Sequence, residues 1–140
     1  MNVTERFLTY VSFDTQSDAD SAQIPSTSKQ LKLAEYLTKE LLELGVEDAV
    51  LDEYGCVYGH IPASEGCTKP GLALIAHMDT AMDMSGANIK PRIIKEYDGK
   101  DIVLNEALQI VTRVKDYPSL SSFVGQDLIV TDGTTLLGAD

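Results

Sequence analysis

"GLALIAHMDTAMDMSG", residues Gly71–Gly86, is the stretch that decides the predicted fold. Small and aliphatic residues fill positions 72–76 with no polar residue between them. Such a run is typical of a strand covered on both faces, as in a parallel sheet that lies between layers of helices. His77 follows at the carboxyl end of the run, where ligands gather in open α/β sheets. The stretch therefore predicts an interior strand with a functional residue at its end.

Two helices are predicted on the N-terminal side of this strand. Asn2 and Glu5 fit a capping pattern at the start of a short amphipathic helix. The hydroxyl residues at 26–28 offer N-caps for a longer helix, in which leucines recur at helical spacing and which Gly45 ends. The polar, turn-rich residues 14–28 between the two helices predict a loop.

Further strand candidates lie on both sides of the central run. They are residues 49–54 and 56–63, two segments within 88–104, and the apolar segments near the end of the chain. Helices followed by strands, one of them continuously apolar, predict an α/β fold. We expect helices packed on a mixed, largely parallel sheet, in a single domain that covers residues 1–140.

The composition is that of a globular chain, and it excludes several classes of partner. The chain has 140 residues, of which 44% are hydrophobic, and its formal net charge is -11. A surface this acidic repels nucleic acid and anionic lipid, so we expect neither as a partner. No signal peptide and no apolar run of about 20 residues are present, which favours a cytoplasmic location without membrane insertion. Cys56 and Cys67 are expected to be free and reduced there.

His77 and Asp79 form the first candidate site. In an extended chain, residues two apart point to the same face, so both side chains can lean toward one spot. An imidazole is a good zinc ligand, and a neighbouring carboxylate can fix its orientation and basicity. The simpler alternative is a buried histidine with a hydrogen-bonded partner, because His-x-Asp is common by chance.

Asp140 is the second candidate, since it ends another apolar run in "TDGTTLLGAD". Two strands that each end in a metal-capable residue can converge at one edge of a sheet. We therefore expect His77 and Asp140 to approach each other. The alternative is that Asp132 and Gly133 form a turn and that Asp140 is a frayed terminal residue.

Four segments of the sequence resemble the two-zinc peptidases, the family that includes carboxypeptidase G and the acetylornithine deacetylases. These segments are DTQS at 14–17, PST at 25–27, HMDTAMDMSGANIKP at 77–91 and TDGTTLLGAD at 131–140. The His-x-Asp and Gly-x-Asp elements are shared across that family, whereas the DTQS, PST and LLGAD wording indicates its tripeptide aminopeptidase branch. The resemblance covers essentially the whole chain.

The resemblance implies a role for each candidate residue. His77 would ligate one zinc ion, Asp79 would be the supporting carboxylate that orients the imidazole, and Asp140 would bridge two zinc ions. The zinc pair would lower the pKa of a bound water and aim it at the carbonyl of a short peptide.

Family members are much longer chains, and the resemblance places their general base and remaining ligands beyond residue 140. This chain would then be the incomplete N-terminal part of a zinc-peptidase catalytic domain, truncated at the metal site. A zinc site needs at least three protein ligands, and the matched residues supply two. We therefore expect the chain alone to bind zinc weakly or not at all, to lack peptidase activity, and to self-associate as a dimer through surface left uncovered.

Three other functions compete with this interpretation. A Cys/His zinc module would use Cys56, His60, Cys67 and His77, but no zinc-finger spacing matches, and Cys56 and His60 on one strand would lie about 13 Å apart. "TDGTT" is similar to the loop of aspartate-nucleophile phosphatases, but Val130 occupies the nucleophile position and cannot attack phosphorus. The third alternative is a non-catalytic binding or structural module with a vestigial metal site.

Overall fold

The computed structural model describes residues 1–138, which divide into two compact units. One unit contains Met1–Asp14 and Asp83–Asp140, and the other contains Thr15–Met82. The described elements are two α-helices, α1 (Val3–Tyr10) and α2 (Gln30–Glu43), a 3₁₀ helix (Pro118–Phe123) and six short strands. The strands are β1 (Val50–Leu51), β2 (Val57–Tyr58), β3 (Arg92–Ile94), β4 (Ile102–Asn105), β5 (Ile110–Thr112) and β6 (Leu128–Val130). Neither described helix has the length and apolar character needed to cross a bilayer.

Helix α1 begins as the sequence predicts, with a reciprocal capping box. The Glu5 backbone N–H donates to Asn2 Oδ1 at 2.9 Å, and the Asn2 N–H donates to Glu5 Oε2 at 2.7 Å. These two bonds satisfy donors that the first helical turn leaves without partners. The apolar side chains that follow include Val11, which is buried just past the last turn.

Helix α2 ends at the predicted glycine. The Gly45 N–H donates to the Leu42 carbonyl at 3.0 Å, and the Val46 N–H donates to the Leu41 carbonyl at 3.0 Å. This pair of bonds is a Schellman motif, which requires a left-handed residue, and Gly45 has a φ of 92°. The helix begins at Gln30, slightly later than predicted, and it packs against the antiparallel hairpin of β1 and β2.

The first unit is built from two antiparallel strand pairs. β3 pairs with β6 and β4 pairs with β5, the second pair with an irregularity between Val103 and Asn105. Ile102 is buried within the β4–β5 pair. An apolar groove of about 490 Å³ also belongs to this unit, and its lining includes Phe7, Ile102, Ile129 and Leu137. The groove brings α1 together with strands that lie far along the chain.

The predicted α/β class is confirmed as a mixture of helices and strands, but the prediction of a largely parallel sheet is wrong. All three described strand pairs are antiparallel, and the single parallel contact among residues 1–138 is an isolated bridge between Gln16 and Thr80.

The predicted interior strand at 71–76 is also wrong. This segment forms no strand, and Leu72, Leu74 and Ile75 are 87%, 89% and 95% exposed. An interior strand needs neighbours on both edges and cover on both faces, and residues 1–138 supply neither to this segment. An apolar run indicates that a segment is suited to burial. Whether the segment is buried depends on which partners are present.

Candidate functional site

His77 and Asp79 lie together, as their spacing predicts. His77 Nδ1 is 3.1 Å from Asp79 Oδ1, and the two side chains are 58% and 43% exposed. The alternative of a buried histidine therefore does not describe His77. When Nδ1 carries the proton, it donates to the carboxylate, and the lone pair that can bind a metal lies on Nε2. The geometry is that of an imidazole oriented by a carboxylate, while the metal-binding role of His77 stays a prediction.

A short parallel bridge holds the chain directly after Asp79. The Thr80 N–H donates to the Thr15 carbonyl at 3.1 Å, and the Ser17 N–H donates to the Thr80 carbonyl at 2.9 Å. The Ser17 hydroxyl donates to that same carbonyl, also at 2.9 Å. Thr15 is 3% exposed, so this anchor is buried although the His77–Asp79 pair is not. The bridge therefore fixes the C-terminal end of the candidate site.

Three of the four segments that carry the family resemblance have residues at this bridge or bonded to it. Gln16, within DTQS, accepts a 2.7 Å hydrogen bond at its carbonyl from the hydroxyl of Thr27, within PST. Asp18 is held to the same region, because its N–H donates to Ser26 Oγ at 3.0 Å. DTQS thus connects PST to the chain after His77 and Asp79. Residues 14–28 are predicted as a loop, and their sequence does not indicate this role, since Thr80, the partner of Ser17, is 63 residues away.

The TDGTT segment forms a turn closed by its own side chains. Asp132 Oδ1 accepts hydrogen bonds from the Thr134 hydroxyl at 2.5 Å and from the Thr134 N–H at 3.0 Å. The Thr134 hydroxyl, followed by its N–H and the Lys90 ammonium 3.8 Å away, lowers the pKa of the Asp132 carboxyl. Gly133 has a φ of 75°, and a Cβ there would lie 2.7 Å from Ile110 Cγ2. Asp132 and Gly133 therefore form a turn, and this turn does not test the expected role of Asp140.

Asp140 lies outside the described residues, so the expected approach of His77 and Asp140 stays a prediction. Within residues 1–138, no group of three or more His, Cys, Asp or Glu side chains is placed to hold a metal ion. The donor chemistry of His77, an imidazole supported by a carboxylate, fits a zinc ligand, but one such group falls short of the three that a zinc site needs.

The proposed Cys/His zinc module is not assembled in the described part of the chain. Cys56 and Cys67 are exposed free thiols. Within residues 1–138 they belong to no group of three or more side chains that could hold a metal ion. His60 instead faces Asp48, with Nδ1 3.8 Å from Oδ2, and both side chains are exposed. His60 and Asp48 form a second surface histidine–carboxylate pair, comparable with His77 and Asp79.

Comparison with known proteins supports the resemblance at the level of the whole chain. No family model matches the sequence. The chain is 51% identical to a peptidase T of Clostridium acetobutylicum over 138 residues and 50% identical to one of a Geobacillus species over 138 residues. It is 51% identical to one of Desulfitobacterium hafniense over 139 residues. Each match covers 99% of this chain and 34% of the relative, so the chain spans about one third of their length. The predicted resemblance is therefore confirmed, because the chain is similar along 99% of its length to about one third of proteins named peptidase T.

Proposed function

We propose that this chain is part of a metal-dependent aminopeptidase that releases the N-terminal residue from tripeptides. The observation that carries the proposal is the identity of about one half to proteins named peptidase T along 99% of the chain. The oriented imidazole of His77 supports it, because a metal ligand needs a fixed ring and tautomer. A cytoplasmic location is part of the proposal, since the thiols of Cys56 and Cys67 are free. Cell fractionation tests this location.

Each site residue has a distinct part in the proposed reaction. His77 and Asp140 would be ligands of a two-zinc centre, and Asp79 would hold the imidazole of His77 in place. When bound, the zinc pair would supply an activated water and polarise the peptide carbonyl. The bridge at Thr80 limits the motion of Asp79, and through Asp79 that of the ring.

The chain alone is proposed to be inactive on tripeptides. The proposed general base lies beyond residue 140, and general acid–base catalysis is typically worth about 10²–10⁴-fold in rate. The proposed metal ligands within the chain are too few for a catalytic zinc site. Assay of the purified 140-residue chain with a tripeptide and added zinc tests this statement.

A chimaera tests the proposed function of the residues. Residues 1–138 of this chain replace the matched third of the Clostridium acetobutylicum relative, with which they share 51% identity. We expect the chimaera to release the N-terminal residue of a tripeptide, to lose activity with a chelator and to regain it with zinc. The His77→Ala chimaera should lose about 100-fold or more in activity, because removing a proposed ligand should cost at least as much as the roughly 10–100-fold typical of removing a residue that orients a ligand.

His60→Ala is the matched control, because His60 is also an exposed histidine beside a carboxylate. It should retain activity. Equal activity of the two alanine variants would overturn the assignment of His77. A well-folded chimaera without activity, beside an active relative, would instead favour the non-catalytic module.

A further inference from the structure

Helix α2 is joined to the loop beside the candidate site by hydrogen bonds between side chains. Gln30, the first residue of α2, donates from Nε2 to the hydroxyl oxygens of Ser26 and Thr27, at 3.2 Å each. Both bonds are partly buried, and they lie inside the unit Thr15–Met82, so they need no free surface. The proposed function has so far given Gln30 no part.

The Thr27 hydroxyl sets the direction of these bonds. Its single proton is donated to the Gln16 carbonyl at 2.7 Å, and a carbonyl can only accept. The group of Gln30 that faces Thr27 must therefore be the NH2 group, which donates. The same NH2 group reaches Ser26 Oγ, which also accepts the Asp18 N–H at 3.0 Å. These bonds form the Gln30 network, in which the amide leaves the Thr27 proton free for Gln16.

Ser17 lies between the two residues that the hydroxyls hold, Gln16 and Asp18. Its N–H and its hydroxyl both donate to the Thr80 carbonyl, at 2.9 Å each. Thr80 directly follows Asp79, the carboxylate beside the candidate zinc ligand. The candidate site is thus tied, through Ser17, to the first turn of a helix.

We propose that Gln30 is a positioning residue, which fixes residues 14–18 against α2 and thereby fixes Asp79. The inference rests on the proposed function, in which Asp79 orients the imidazole of His77. Helix α2 packs on the β1–β2 hairpin, and regular elements hold functional groups more precisely than loops do. Precision matters here, because a displacement of about 1 Å at a catalytic site can cost on the order of 100-fold in rate.

Two substitutions break the Gln30 network at different points, and a third preserves it. Gln30→Glu keeps the length of the side chain but replaces the NH2 group by an accepting oxygen, which competes with Gln16 for the Thr27 proton. Thr27→Val removes the hydroxyl, whereas Thr27→Ser retains it. Gln23→Glu is the matched control in the same loop. Within residues 1–138, Gln23 bonds through its backbone N–H to the Ser21 hydroxyl and takes no part in the network.

Hydrogen exchange of the Thr80 N–H tests the proposal in the 140-residue chain without an assay of activity. This N–H donates to the Thr15 carbonyl at 3.1 Å, so its protection falls when the loop moves away. Gln30→Glu and Thr27→Val should each lower the protection about fivefold, the equilibrium factor that corresponds to one typical hydrogen bond. Thr27→Ser and Gln23→Glu should leave it nearly unchanged.

A reference amide separates positioning from a general loss of stability. The Leu44 N–H, at the end of α2, donates to the Glu40 carbonyl at 2.9 Å. A general loss of stability would lower protection at both Leu44 and Thr80, whereas loss of positioning acts at Thr80. We expect the loss at Thr80 to exceed the loss at Leu44. Equal losses at the two amides, or no loss at Thr80, would overturn the proposal.

The chimaera with the Clostridium acetobutylicum relative gives the functional readout. Gln30→Glu and Thr27→Val should lower kcat roughly tenfold and leave KM within about twofold, because positioning acts on the reacting groups and not on uniform substrate binding. Thr27→Ser should keep the wild-type kcat. An unchanged kcat in the Gln30→Glu form of an active chimaera would overturn the positioning role. A chimaera that is inactive before substitution would overturn the proposed function alone, since the exchange experiment decides by itself whether Gln30 holds the chain at Thr80.

Discussion

At the scale of single residues, the site depends on contacts of two kinds. The His77–Asp79 contact is local, and the i, i+2 spacing is enough to predict it. The Ser17–Thr80 contact joins residues 63 positions apart, and nothing in the sequence of either residue indicates its partner. The contacts of Asp132 are also local, because its carboxylate accepts hydrogen bonds from Thr134, two residues further along the chain.

Asp132 predicts a pH dependence of stability. Its carboxyl has a lowered pKa in the folded chain, first because of the Thr134 hydroxyl. A lowered folded-state pKa stabilises the fold above the unfolded-state value of about 3.9, and this stability is lost as pH falls through the folded-state value. Asp132→Asn should therefore lower the urea midpoint at pH 7 and have a much smaller effect near pH 2.5.

Asp20→Asn serves as the control, because Asp20 is an exposed loop carboxylate. It should leave the midpoint nearly unchanged at pH 7. A loss of stability in Asp132→Asn that is the same at both pH values would contradict the ionic origin of the effect.

At the scale of elements, local signals predicted the helices well and the sheet poorly. The capping box at Asn2 and the glycine stop at Gly45 depend on residues close together in the chain, so both can be predicted from the sequence. Residues 71–76 have the composition of an interior strand, yet the described chain leaves them unpaired and exposed. Strand formation depends on partners that a single segment does not specify, which is why the antiparallel pairing could not be predicted.

The bridge between Gln16 and Thr80 yields a prediction at this scale. Ser17→Ala removes the hydroxyl bond to the Thr80 carbonyl but leaves the backbone bond in place. We expect a loss of about 1 kcal/mol in unfolding free energy, the usual worth of one partly buried hydrogen bond. Urea unfolding measures it, with exposed Ser64→Ala as the control. Equal losses in the two variants would show that the hydroxyl bond contributes nothing.

At the scale of the whole molecule, charge and exposed apolar surface act against each other. Each copy carries a formal net charge of -11, which repels a second copy. The exposed apolar side chains of Leu72, Leu74 and Ile75 favour association instead. Whether the chain associates thus depends on how far the net repulsion is screened.

Salt should therefore strengthen the expected dimer. Raising ionic strength from about 0.05 M to about 0.5 M shortens the screening length to a few ångströms and removes most of the repulsion between the copies. Sedimentation at both salt concentrations should give a lower dissociation constant at high salt. A dissociation constant that rises with salt would contradict this expectation.

The unit that contains α1 is discontinuous in the chain, and this affects the order in which it is completed during synthesis. Residues 1–14 leave the ribosome before residues 15–82, which belong to the other unit. Phe7 shares its groove with Ile102, Ile129 and Leu137, which are translated much later. Helix α1 is therefore without these packing partners until nearly all of the described chain has emerged, and that delay lengthens the time in which chaperones can bind its apolar face.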